Sequence, residues 1–155
     1  MASVSVCPLS QLAPTVPRIN ASHLVSLIDI QSVVVRPQSI PAKNHLFLGI
    51  NDIVEAEDGK VLPGAEHVRQ LVDFAGDWDG TRPILFHCYA GISRSTAAAF
   101  ITLCTVRPRR DEHDIAARLR AASPFATPNA RLVALADDML GRDGRMIAAV
   151  AAIGR

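Results

Sequence analysis

The sequence has no apolar run long enough to span a bilayer, only two lysines, three cysteines and almost no excess of charge of either sign. Each shortage excludes something. The longest apolar stretch, Ala97 to Val106, is interrupted by Thr102 and Thr105 and falls short of the ~18 residues a membrane span needs, so no membrane role is expected. No charged side chain precedes Arg18, so the amino-terminal segment lacks the basic start of a secretory signal. Cys7, Cys88 and Cys104 cannot all pair and show no metal-ligand spacing, and His23, His45, His67, His87 and His113 are scattered. The expectation is a cytoplasmic protein with reduced thiols, no metal and no organic cofactor. Sixteen Lys plus Arg against fifteen Asp plus Glu leave a net charge of +1, too balanced for a protein that binds nucleic acid by releasing counterions. Any phosphate recognition must therefore be local. Fourteen arginines beside the two lysines, with abundant alanine, point to a GC-rich bacterial source.

What is present is a globular composition: 155 residues, 49% hydrophobic and 20% charged, of the size of one ordinary domain. Short apolar runs bounded by turn residues predict buried strands at Ser3–Val6, Leu24–Asp29, His45–Ile50 and Ile84–His87, with Val33–Arg36 as a fifth candidate. After Pro63, Val68, Leu71, Val72, Ala75 and Trp78 recur at helical spacing and complete a βαβ unit. Ser95–Val106 is apolar nearly all round and predicts a central helix buried on every side. Asp111 with Asp114 reads as a capping box for the next helix. Thr127 reads as the cap of a helix with Pro128 in its first turn, ending at Gly141, and Asp143 as the cap of a last short helix. The expected fold is α/β in a single domain over residues 1–155, with a small, mostly parallel sheet of four or five strands. Helices should lie on both faces, and the carboxyl-terminal half should be helical.

Chemistry concentrates where the strand Ile84–Phe86 meets the buried helix. The segment His87-Cys88-Tyr89-Ala90-Gly91-Ile92-Ser93-Arg94-Ser95 must turn the chain in a few residues. Such a turn gathers unpartnered amides and the positive end of a helix dipole at one point, an anion site. Cys88 opens the turn, so a thiolate gains from the same field that would hold a phosphate. Arg94, in the first helical turn, can bind two phosphoryl oxygens with its planar fork. Gly91 permits a backbone conformation costly to other residues. Ser95 can donate a hydroxyl to the sulfur, and His87 can orient the loop through hydrogen bonds. A lone cysteine here would fit a core thiol, the reading for Cys7 and Cys104, but cysteine, glycine and arginine at this spacing fit a phosphate site.

The spacing His-Cys-x5-Arg-Ser resembles the active-site signature of the cysteine-dependent protein tyrosine phosphatase superfamily, and the short chain looks most like its compact dual-specificity-type branch. The segment Ser123-Pro124-Phe125-Ala126-Thr127-Pro128-Asn129 is similar to the place where such members carry an Arg-Pro and a Pro-Asn pair, with Ser123 where the arginine usually stands. The resemblance implies that the amides of Tyr89, Ala90, Gly91, Ile92 and Ser93, with Arg94, bind phosphate, and that Asn129 braces this loop. Plain turn chemistry is the alternative for Asn129. Phosphoinositide-cleaving relatives usually place lysines in the loop, and this one has no cation beyond Arg94.

Expelling an alkoxide or phenoxide needs a proton donor, worth roughly 10²–10⁴-fold. The loop after His45–Ile50 offers Asp52, Glu55, Glu57 and Asp58 at the strand edge where α/β sheets bind ligands. Asp52 is nearest the strand and is the first choice. It stands 36 residues before Cys88, and Asp58, at 30, is the alternative. The expected activity is hydrolysis of phosphotyrosine, and of phosphoserine or phosphothreonine, in a phosphorylated protein or peptide through a phosphocysteine. An idle phosphate-binding module and a phosphatase of non-protein esters are the rivals. Tyr89 is expected at the pocket mouth.

Overall fold

The structure, a computed structural model, describes residues 1–154. Four strands, β1 (Val4–Pro8), β2 (His23–Ile28), β3 (His45–Gly49) and β4 (Ile84–Cys88), form one sheet in the order β1-β4-β2-β3, and every neighbouring pair is parallel. Parallel pairing buries a sheet on both faces, which is why the strands read as continuous apolar runs and not as alternating ones. β4 is buried along its whole length. It lies between β1 and β2, with Pro8 opposite Cys88 and Ser26 opposite His87.

Five helices lie on one side of the sheet: α2 (Ala65–Asp77) and α3 (Arg94–Val106) pack on its strands, and α4 (Glu112–Ala122), α5 (Ala130–Met139) and α6 (Arg145–Ile153) stack outside them. Their common core includes Val25, Leu27, Ile84, Phe86 and Phe100. α3 is the hub. Ala97, Ala98 and Ala99 are all buried, and their small side chains let it approach the sheet closely. The opposite face carries α1 (Leu12–Ile19), whose Leu12 and Val16, with Ile40 of the β2–β3 connection, cover Cys7, Leu24 and Leu85.

Four expectations need correction. Val33–Arg36 is not a strand: it joins neither edge of the sheet, and Val33 and Val35 are 84% and 80% exposed, so the run buries too little apolar surface to pair as a buried strand. α1 was not expected, because Pro14 and Pro17 mask it. Pro14 falls in the first turn, where its missing amide would have no intrahelical partner, whereas Pro17 lies inside the helix two residues before its end. α5 is capped by Asn129 and not by Thr127, with the Asn129 side chain accepting from Leu132 N–H at 3.0 Å, so Pro128 lies before the helix. α6 is not capped by Asp143. Its first amides are taken by buried Asp137 of α5, which accepts from Gly144 and Met146, each at 2.8 Å. Asp111 does cap α4, accepting from Asp114 N–H at 3.1 Å.

Candidate active site

The turn from β4 to α3 is held from outside by its carbonyls. Tyr89 C=O accepts from Leu9 N–H at 3.1 Å, just past the end of β1. Ile92 C=O accepts from Thr127 N–H at 2.9 Å and Ser93 C=O from Asn129 N–H at 3.1 Å, both in the strap that precedes α5. Among the described residues no protein acceptor takes the amides of Tyr89, Ala90, Ile92 or Ser93. With the carbonyls engaged outward, those amides are the donors left over for a ligand.

Gly91 makes this winding possible. Its φ is +72°, and an added Cβ would lie 2.8 Å from Pro8 N and 2.9 Å from the Cys7 carbonyl carbon. Both are backbone atoms of β1, so neither can move aside. The turn can therefore seat against β1 only with glycine at this position.

Inside the turn, Cys88 is buried and its Sγ receives the Gly91 N–H at 3.2 Å, with Ser95 Oγ at 3.0 Å. The sulfur is thus held by one backbone amide and one hydroxyl at the mouth of the α3 amino terminus. Arg94 is only 8% exposed; its Nη1 donates to Ile50 C=O at 2.9 Å, while its buried Nε has no partner. An orphaned buried donor costs about 1–3 kcal/mol, more when charged. One arm of the fork is thus anchored on the end of β3 and the other is available to an oxyanion.

His87 lies under the loop, fully buried. Its Nδ1 is 3.3 Å from Cys88 O and its Nε2 2.7 Å from Ser26 Oγ, which is in turn 2.8 Å from His45 Nε2. This chain crosses β4, β2 and β3 on the α1 face. Burial pushes both histidines below the ordinary imidazole range, and the Arg36 charge adds to the effect at His45. Neutral rings suit a positioning network. Cys7, one register step from Cys88, is pushed by burial up to about 11, and Cys104 likewise to about 12, so both remain thiols.

Asp52 follows β3 and reaches the loop. Its Oδ1 accepts from Ser93 Oγ at 2.7 Å and from Asn129 Nδ2 at 2.9 Å. The same Asn129 amide donates to Ile53 C=O at 3.2 Å. Asn129 therefore touches the β4–α3 turn with its backbone, the Asp52 loop with its side-chain nitrogen, and α5 with its side-chain oxygen. Asp58 sits exposed at the turn before Gly59, away from this junction. Tyr89 is 70% exposed at the loop mouth and Ala90 is also exposed. Three groups were missed from sequence: the Ser93 hydroxyl as a tie to Asp52, the Ile50 carbonyl as a rest for Arg94, and the Ser26–His45 extension beneath His87. All three are long-range contacts that no local pattern announces.

Comparison with solved structures identifies this architecture. The chain has the fold of the dual-specificity and protein tyrosine phosphatases. It superposes on the crystal structure of DUSP15 with a TM-score of 0.69 at 18% identity, covering 99% of this chain and 91% of that one. The PTP-2 phosphatase of Cydia pomonella gives a TM-score of 0.66 at 20% identity, covering 86% and 83%. PTPMT1 in complex with PI(5)P gives 0.65 at 12% identity, covering 99% and 95%. No family model and no curated protein sequence matches the chain. In this phosphatase fold, among the described residues, no helix is long and apolar enough to cross a membrane.

Proposed function

We propose that the chain is a cysteine-dependent phosphatase of phosphorylated proteins, acting on phosphotyrosine and, through an open site, on phosphoserine and phosphothreonine. The observation that carries this reading is the buried, unpartnered Nε of Arg94 beside a sulfur already held by an amide and a hydroxyl. A dianionic phosphoryl group satisfies the guanidinium and the free loop amides together.

In the first step the Cys88 thiolate attacks phosphorus, the S–P bond forms and the P–O ester bond breaks. Asp52 delivers a proton to the departing oxygen through Oδ2, the oxygen not engaged by Ser93 and Asn129. In the second step water attacks phosphorus, Asp52 takes its proton, and the S–P bond breaks. Ser95 donates to the sulfur as it leaves, and inorganic phosphate departs. Asp52 supports the acid role better than Asp58 because it is tied to the loop. His87 and Asn129 act as positioning residues.

Turnover of p-nitrophenyl phosphate and of a phosphotyrosine peptide tests the proposal. Wild-type protein should hydrolyse both, C88S neither, and D52A should lose at least tenfold on the peptide. Vanadate binding without any hydrolysis by the wild type would instead establish an idle phosphate-binding module.

A further inference from the structure

A cleft of about 1010 Å³ opens beside the catalytic loop, lined by Ile92 and Ser93 of that loop and by Asp52, without reaching Cys88. Its floor is apolar, from Val54, Pro128 and Val150, and Val54 and Ile92 are 51% and 40% exposed. Its rim carries Glu55 and Glu57, and among the described residues no Lys, Arg or His lines it. Glu57 makes one ion pair, to Lys60 at 3.2 Å, with both side chains about half exposed; Glu55 has no cationic partner among the described residues. A pair that exposed is easily exchanged for another.

Resting on the phosphatase reading above, we propose that this cleft is the subsite for the polypeptide flanking the phosphorylated residue, and that it selects a lysine or arginine there. The buried Arg94 Nε fixes where the phosphate sits. A chain leaving that point across Ile92, Ser93 or Asp52 runs into the cleft. Its volume is that of an ordinary ligand pocket, and takes several side chains. A long cationic side chain matches both surfaces at once, laying its methylenes on Val54 and Val150 and its charged head on Glu55 and Glu57. The same rim repels nucleotides, inositol polyphosphates and acidic peptides, so the site discriminates by the charge around the phosphoester and not only by the ester itself.

The test uses phosphotyrosine peptides that differ only by Arg, Gln or Glu at each of three positions on either side of the phosphoresidue. Arginine at one or more positions should raise kcat/KM over glutamate by about two- to fivefold per rim carboxylate engaged. Raising the salt to about 0.5 M should shrink the difference, since screening acts on exposed charges. The double variant E55R/E57R should invert the preference while leaving p-nitrophenyl phosphate turnover unchanged. Peptide hydrolysis with no charge preference at any position, or an arginine preference that survives E55R/E57R, would overturn the inference and leave the phosphatase reading standing. If neither peptides nor p-nitrophenyl phosphate are hydrolysed, the phosphatase reading fails. Peptide affinities measured by fluorescence anisotropy then decide the cleft's preference on their own, and equal affinities would overturn it.

Discussion

Replacing Asn129 by aspartate separates two jobs that one side chain performs. Asp caps helices as well as Asn does, so the bond from Leu132 N–H at 3.0 Å survives in N129D. The other end changes sign. The nitrogen that donates to Asp52 Oδ1 at 2.9 Å and to Ile53 C=O at 3.2 Å becomes an oxygen that faces two acceptors. Two unit charges 2.9 Å apart repel by about 1.4 kcal/mol in water and about 6 kcal/mol at an effective dielectric of 20. Asp52 is exposed, which places the repulsion near the lower value. The buried Ile53 carbonyl left without its donor adds about 1–3 kcal/mol. The expected total is about 2–4 kcal/mol, equivalent to a fall in Tm of roughly 5–15 °C for a chain of this size. The kinetic signature is more specific. An acid pushed off its station hurts esters with basic leaving groups, so N129D should lose at least tenfold in kcat/KM on phenyl phosphate or a phosphotyrosine peptide. It should lose much less on p-nitrophenyl phosphate, whose leaving group needs little help. Equal losses on both substrates, or none, would refute the placement of Asp52 by Asn129.

G91A combines a positive φ, costing about 1–2 kcal/mol, with overpacking against immobile β1 backbone, costing about 1–3 kcal/mol. It should melt several degrees lower in calorimetry and bind vanadate weakly, and a wild-type melt with wild-type affinity would contradict the geometry described. Stability should fall on mild acidification. Burial depresses His23, His45, His67 and His87 in the folded state, so the unfolded chain takes up protons first. Their contribution is intact above the unfolded value of ~6.5 and is lost as pH drops through the lower folded values. Urea titrations between pH 7.5 and 5 should show a declining midpoint, and a flat midpoint would contradict the buried histidine chain.

The strands were legible because parallel pairing demands apolar residues on both faces, and all four lie within two residues of the runs that announce them. The β4–α3 turn was legible for a related reason: strand, turn and helix are contiguous, so Cys88 at the end of β4 and Arg94 at the start of α3 are placed by local geometry. What escaped is non-local. The ties from Asp52 to Ser93 and Asn129 span 41 and 77 residues, and no periodicity records such a meeting. Helix caps failed where tertiary structure supplies a better donor or acceptor than the nearest neighbour, as Asp137 does for α6. Val33–Arg36 shows the converse, a run with strand chemistry that pairs with no neighbour and leaves Val33 and Val35 exposed.

The strap at Thr127–Asn129 carries a further consequence for the order in which the protein is made. Cys88, Gly91 and Arg94 are all synthesised before it, yet two of the turn's carbonyls and the side chain of Asp52 lack one of their hydrogen-bond partners until Thr127 and Asn129 dock. A nascent chain still lacking its last quarter therefore holds the cysteine, glycine and arginine of the turn without the strap that braces them, so the finished geometry of the turn arrives late in translation.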